Sequence, residues 1–274
     1  MKKKKTVGII GCGNMGEAIL AQSLKRKAQN FIVLEKDKLK QAFIRRIYRV
    51  KSAIDITDLL HKSDVVIMAV KPQDMDMVLG DIRKVAEICK KRKILIISIA
   101  AGIETAYIEN KISGKVKVVR AMPNMPGVIG KGITALTKGY YATDRDLRFA
   151  ENIFKYLGVT MEIRKEGLIN VVTALSGSGP AYIFFIINAI LTAVKALQLD
   201  EKNANKLIYH TIVGAMELYK ENNFDAYKLI SRVASKGGTT EAALNVFKKN
   251  NLNKIVWDGI FAAFERAQEL SRNT

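Results

Sequence analysis

The strand-like run Thr6-Val7-Gly8-Ile9-Ile10, followed at once by Gly11-Cys12-Gly13-Asn14-Met15-Gly16, constrains the fold more than any other feature of this chain. A short apolar run that opens through G-x-G-x-x-G into a helical pattern is the first turn of a parallel α/β sheet that holds a dinucleotide. Gly11 permits the tight turn, Gly13 lets the backbone approach a pyrophosphate, and Gly16 lets the helix lie close to the strand. The helix N-terminus then faces the phosphates, with Cys12, Asn14 and Met15 in the same turn. The plainer alternative is a strand–helix turn with incidental glycines.

The following residues repeat the strand–helix alternation. Strands are expected at Phe31–Leu34, Asp64–Val70, Ile94–Ile99 and Val116–Val119, and helices at Met15–Lys27 and Asp37–Tyr48. The runs are β-branched and continuous, as in strands buried on both faces of a parallel sheet. Ile133–Thr137 and Thr160–Ile163 read as closing strands around a helix at Asp144–Leu157. After about Arg164 the strand signal ends and helical patterns take over: Leu168–Leu175, Pro180–Leu197, Lys202–Glu221, Ala226–Ala234, Thr240–Lys248 and Lys254–Ser271. The expected division is therefore a dinucleotide-binding α/β domain over 1–163 and an all-helical domain over 164–274. The longest apolar run, Ala181–Val194, is shorter than a membrane span. It suits a helix buried on all sides, in its own domain or against a second protomer.

The formal net charge is +19, from 45 basic and 26 acidic residues. Such a field suits anionic partners, nucleic acid among them. The lysines are nevertheless spread along the chain, and no aromatic–basic interleaving of the kind that stacks bases is present. Solvated faces are the preferred reading, with no nucleic-acid partner and no membrane. The two cysteines, Cys12 and Cys89, have no metal or disulfide spacing, which fits a reducing cytoplasm. Lys2–Lys5 is not read as the start of a signal peptide, because Gly11, Gly13 and Asn14 break the apolar stretch after it.

Several stretches can carry chemistry. Glu35 lies 19 residues past Gly16 at the end of the second expected strand, close to the ~20 expected of the residue that meets the adenosine ribose. A carboxylate there accepts ribose hydroxyls and repels a 2′-phosphate, whereas Lys36 and Lys38 pull the other way; the balance leans to NADH. Glu35 as a cap of the next helix is the alternative. Ala69-Val70-Lys71-Pro72 ends the strand expected across the sheet's switch point, where ligands lie. Arg120–Pro126 ends another strand on the same rim, and Asn124 there can bond both ways to a carboxamide or ribose. Ser98–Gly102, with Ala100 at its centre, is small enough for a cofactor to lie flat. Ser176–Tyr182 opens the apolar helix, with Ser178 as its cap and Pro180 in its first turn. Ser235-Lys236-Gly237-Gly238-Thr239-Thr240 opens another. Backbone N–H groups at such a turn form an anion site, and a plain helix cap is the alternative. The two histidines, His61 and His210, lie near none of these stretches. The chemistry is then one that a cofactor carries largely alone, such as hydride transfer, and a protonated imine is a fitting acceptor.

These segments, in this order, resemble pyrroline-5-carboxylate reductase across essentially the whole chain. The resemblance rests on Gly11–Gly16 with Met15, Val70-Lys71-Pro72, Ser98–Gly102, Arg120–Pro126, Ser176–Tyr182 and Ser235–Thr240. It implies a Rossmann domain with a helical dimerisation domain, and reduction of 1-pyrroline-5-carboxylate to L-proline with NADPH or NADH. It also implies dimers that often assemble further into decamers, with catalysis requiring the dimer. Thr240 matches the threonine whose hydroxyl meets the substrate's ring nitrogen. Ser235 and the amides of Gly237, Gly238 and Thr239 match the carboxylate cradle. Three residues depart from the family pattern: Lys236 stands in place of proline, Met125 in place of threonine, and Ser231 in place of an acidic residue. Lys236 is expected to add a cation near the substrate carboxylate. A β-hydroxyacid dehydrogenase would need a catalytic lysine in the helical half, and Lys195 and Lys206 sit in no matching motif. A regulatory nucleotide binder or a basic nucleic-acid binder remains the reading from another class.

Overall fold

The computed structural model describes residues 4–26, 29–112 and 115–272. Lys2 and Lys3 of the basic run and Lys27 of the first expected helix lie outside the described residues. Among the described residues one sheet holds β1 (Thr6–Ile10), β2 (Asn30–Leu34), β3 (Lys51–Ser52), β4 (Val65–Met68), β5 (Leu95–Ser98), β6 (Lys117–Pro123), β7 (Gly132–Lys138) and β8 (Gly158–Glu162). Their spatial order is β3-β2-β1-β4-β5-β6-β7-β8, so the order reverses at the β1–β4 pair. The pairings are parallel except β6 with β7.

Around the sheet lie α1 (Asn14–Leu24), α2 (Lys38–Tyr48), α3 (Ile56–Lys62), α4 (Met75–Lys84), α5 (Ala86–Arg92), α6 (Thr105–Lys111) and α7 (Asp144–Phe154). The continuous apolar strands are explained by burial on both faces. Val65 and Ile67 of β4 join a core cluster with Ile19 of α1 and Phe154 of α7. Val66 and Met68, pointing the other way, join a second cluster with Leu59 of α3 and Leu79 of α4. Helix starts are set by side-chain caps where the sequence supplies them. Asp37 accepts from Leu39 N and Lys40 N, and Thr143 with Asp146 makes a reciprocal capping box on α7.

The remaining helices are α8 (Leu168–Val172), α9 (Gly179–Ala196), α10 (Glu201–Glu221), α11 (Ala226–Val233), α12 (Thr239–Lys249) and α13 (Leu252–Arg272). The chain separates into two compact units, one running to Pro180 and resuming at Ala262, the other spanning Ala181–Phe261. This division differs from a boundary at 163/164 at both ends, and a buried cation explains why. The Arg120 side chain on β6 is 1% exposed. Its guanidinium donates to Glu166 Oε1 (3.4 Å) and Asn170 Oδ1 (3.1 Å), which holds 164–180 to the sheet. Glu166 also accepts from Thr105 N (2.8 Å) and Thr105 Oγ1 (2.6 Å). Ser271 Oγ donates to Asn170 Oδ1 (3.3 Å), which holds the end of α13 to the same unit.

Within the second unit the expectation of a helix buried in its own domain is not met. In the single chain α9 has no buried residue, and Phe185 is 72% exposed. The apolar run is part of a longer helical stretch, Leu168–Ala196, of 29 residues, which holds an 18-residue window of mean hydropathy 1.6. By length and composition alone that stretch is long enough to cross a membrane, so the shortness of Ala181–Val194 does not exclude one. An uncovered apolar face of this kind requires a partner surface.

Candidate functional site

At the β1–β4 switch point the carboxyl ends of three strands meet in one cleft of about 810 Å3. Gly11 N donates to Leu34 O (2.8 Å) and Ala69 N to Ile10 O (2.8 Å), so the turns after β1, β2 and β4 sit at one level. The cleft brings together Gly11, Gly13, Glu35, Lys36, Ala69, Val70 and Lys71 from the sequence expectations. Cys12, Asn14, Met15, Gly16, Pro72, Ala100 and Asn124 are not part of its lining.

The three glycines answer to three physical needs. Gly11 has φ +84°, which favours glycine. A methyl group on Gly16 would lie 2.4 Å from the Gly11 carbonyl oxygen, so α1 can approach the turn only without one. A methyl group on Gly13 would meet nothing within 4 Å, which leaves open space on the cleft side. Gly13 also begins α1 with no side-chain cap, so the first-turn N–H groups are not satisfied by a cap. Open space, uncapped amides and the positive end of a helix dipole fit a dinucleotide pyrophosphate. Asn14 is exposed at the start of α1, while Met15 packs against the core.

Glu35 is tied to this turn. Its Oε2 accepts Cys12 N (2.7 Å), and its Oε1 accepts Asp37 N (3.1 Å). The cap on α2 is Asp37, so the reading of Glu35 as that cap does not hold; its carboxylate stands on the cleft wall. Lys36 is paired with Asp74 (3.2 Å) rather than unpaired. The Cys12 side chain is wholly buried, and burial with the nearby Glu35 charge pushes its thiol up to about 12. Cys12 is therefore held neutral, as a packing group.

On the rest of the rim, Pro72 opens a short 3-10 turn, Pro72–Asp74. Ala100 is buried in the core cluster under the sheet. Arg120–Pro123 is still strand, and the chain turns only at Met125–Ile129. Asn124 uses both ends of its amide within the chain: Oδ1 accepts Ile133 N (2.9 Å), and Nδ2 donates to Ser176 Oγ (3.2 Å). Ser176 reaches that position because Thr173–Gly177 is a π-helical turn, closed by Ser178 N to Thr173 O (2.9 Å). Ser178 has helical φ/ψ (−85°, −23°), so it is no N-cap, since a capping residue takes extended geometry. Pro180 does sit in the first turn of α9.

In the second unit Ser235–Thr240 forms a turn with Gly237 at φ +73°, and Gly238 starts α12 with no side-chain cap bond. Thr239 and Thr240 are its first two helical residues. Gly238 N donates to Ser235 O (3.0 Å), and a methyl on Gly238 would lie 2.6 Å from Ser235 Oγ. Gly237 N donates to Glu241 Oε2 (2.6 Å). Sequence reasoning passed over Glu241. The signal was there, because an acidic residue in the first turn of a helix is favoured by the helix dipole and can reach the free N–H groups at its start. Lys236 and Met125 are exposed, and Ser231 Oγ donates to Lys228 O (2.9 Å).

The sheet order, the glycine turn and the uncapped helix at the switch point together define a Rossmann-type dinucleotide-binding protein. Residues 6–102 match the family described as NADP oxidoreductase, coenzyme F420-dependent, and residues 166–270 match pyrroline-5-carboxylate reductase dimerisation. The chain is 34% identical over 269 residues to the pyrroline-5-carboxylate reductase of Haemophilus influenzae, covering 97% of each. The solved pyrroline-5-carboxylate reductase of Coxiella burnetii superposes with a TM-score of 0.86 at 33% identity, covering 98% of this chain and 99% of that one. The Plasmodium falciparum pyrroline carboxylate reductase with NADP bound does so at 0.86 and 25% identity, over 97% and 98%. The chain belongs to the pyrroline-5-carboxylate reductase family, an NAD(P)-dependent oxidoreductase family.

Proposed function

We infer that this chain reduces 1-pyrroline-5-carboxylate to L-proline by hydride transfer from a nicotinamide dinucleotide, the last step of proline synthesis. The observation that carries the reading is the identity of 34% over 97% of both chains, which spans the glycine turn and the Ser235–Thr240 loop alike. Hydride from NAD(P)H adds to the carbon of the protonated C=N bond, giving the secondary amine and NAD(P)+. No ionisable protein acid is needed, which agrees with histidines only at positions 61 and 210, outside the stretches expected to bind.

The chain's own part is to bind and orient. Gly11, Cys12, Gly13, Asn14, Met15 and Gly16 form the pyrophosphate turn, with 1–163 as the dinucleotide domain. Ala69–Pro72, Ala100 and Asn124 position the nicotinamide side. Ser235 and the Gly237, Gly238 and Thr239 amides take the substrate carboxylate, Thr240 meets the ring nitrogen, and 164–274 supplies both this loop and the dimer face. Lys236 adds a cation beside the carboxylate; an unchanged KM in Lys236→Pro would dismiss that role. NADH is the preferred donor. Glu35 stands where the adenosine ribose is expected, Asp74 neutralises Lys36, and the cleft lining carries five carboxylates against three lysines. The uncovered face of α9 is covered by a second copy rather than by lipid, which the dimerisation-family match over 166–270 supports. A cytoplasmic homodimer, extendable to a decamer and independent of nucleic acid, is the working form.

The test is oxidation of NADH and of NADPH, measured separately with 1-pyrroline-5-carboxylate, beside Thr240→Ala. A sharp loss of turnover in the variant supports the reading. Cofactor binding without turnover in the wild type refutes it.

A further inference from the structure

The Ser235–Thr240 loop is already occupied by the protein itself. Gly237 N donates to Glu241 Oε2 at 2.6 Å, a short charge-assisted bond. Gly238 N donates to Ser235 O at 3.0 Å. Two of the three amides expected to receive a carboxylate therefore meet oxygens of the chain, and one of those oxygens belongs to a carboxylate. Glu241 is the third residue of α12, partly buried, on a side chain long enough to swing between this amide and solvent. A second carboxylate brought to the Gly237 amide would stand within a few ångströms of the first, where like charges repel.

We propose that Glu241 is an internal competitor for the substrate carboxylate, a specificity-determining residue that must leave the Gly237 amide before the substrate can take it. This rests on the reading that the 235–240 loop is the carboxylate cradle. With no substrate present, the Glu241 carboxylate satisfies the amide and steadies the start of α12. When a substrate binds, its carboxylate replaces that of Glu241, and the displaced side chain turns outward. A ligand that offers a second carboxylate-like charge gains the amide; a ligand without one leaves Glu241 in place. Glu241 thus taxes binding of the carboxylate substrate and leaves a carboxylate-free imine untouched.

The experiment compares wild type, Glu241→Ala and Glu241→Gln as full chains. KM and kcat are measured for 1-pyrroline-5-carboxylate and for 1-pyrroline, the same ring without its carboxylate. Glutamine keeps the length and the carbonyl that caps Gly237 N, so it separates charge from capping, and it remains informative if the alanine variant folds poorly. The expected result is a fall in KM for 1-pyrroline-5-carboxylate of about five- to tenfold in Glu241→Ala, the scale of the net worth of one ordinary intramolecular hydrogen bond. A smaller fall is expected in Glu241→Gln, with KM for 1-pyrroline unchanged in both. Equal changes for the two substrates, no change, or a rise in KM for the carboxylate substrate overturns the proposal. The underlying cradle reading has its own readout. If wild type shows the same KM for both rings, no cradle discriminates the carboxylate, and that reading fails whatever the variants do.

Discussion

Glu166→Ala offers the sharpest test of how the sheet unit is held together. Three hydrogen bonds end on this carboxylate: Thr105 N at 2.8 Å, Thr105 Oγ1 at 2.6 Å and Arg120 Nη1 at 3.4 Å. Arg120 is 1% exposed and Glu166 23%. Burial pushes the guanidinium's pKa down, and the Glu166 carboxylate opposes this most, with a smaller contribution from Glu104. Removing one partner of a buried pair costs about 3–5 kcal/mol, because the other charge stays behind. Water can reach the partly exposed side of Glu166, which places the expected loss near ~3 kcal/mol. In urea this shifts the unfolding midpoint by about 1 M or more. Arg120→Met removes the charge itself and refills its volume, so it should cost less, about 1–2 kcal/mol. The double variant should then cost at least ~1 kcal/mol less than the sum of the two. Unfolding must be followed at one fixed protein concentration, since self-association adds to apparent stability. A loss below ~1 kcal/mol for Glu166→Ala, or strict additivity in the double variant, would refute the dependence of Arg120 on Glu166.

Three further outcomes are expected. Gly16→Ala places a methyl 2.4 Å from Gly11 O and 3.1 Å from Ala69 Cβ. It should push α1 off the turn and raise the NADH dissociation constant at least ~10-fold by fluorescence titration, about 1.4 kcal/mol; an unchanged constant contradicts the packing role. The Cys12 thiol is raised from 9.0 to about 12, so its contribution to stability is whole below pH 9 and is lost as pH rises toward 12. Cys12→Ala should flatten the alkaline arm of urea midpoint against pH, and an unaltered slope would exclude the thiol as its source. Phe185→Glu, at a position 72% exposed on α9, should shift sedimentation toward the monomer, whereas an unchanged oligomer would mean the covering surface lies elsewhere.

The parallel core was legible because each central strand is apolar on both faces, and only two-sided burial produces such runs. Val65–Met68 is the plainest case. Polar β3 was invisible by the same logic: Lys51 and Ser52 are strand only through pairing with Ile32 and Val33. The antiparallel entry of β7 left no trace in composition, since direction is a property of connection rather than of residue type. At the site, the glycine turn could be read residue by residue, because Gly11 and Gly16 meet local steric demands. The π turn at Thr173–Gly177 could not. What it serves is tertiary: it carries Ser176 to Asn124, far along the chain. What covers α9 stayed open between its own domain and a second protomer, because apolarity records that a face must be covered and not which molecule covers it; the single chain removes the first alternative.

The return of α13 to the sheet unit carries a consequence for synthesis. Leu270 lies against Gly102, where even a methyl would come within 2.6 Å of its Cβ, and Ser271 bonds Asn170. On the ribosome the last strand, β8, is complete at Glu162, about a hundred residues before Ala262 is joined. At the usual ~5–20 residues per second, that is roughly 5–20 s during which the nascent sheet lacks its final brace. The first part of the protein to be made is thus among the last to be finished, and a ribosome stalled in the helical half would hold out a sheet with the seat for Leu270 still bare.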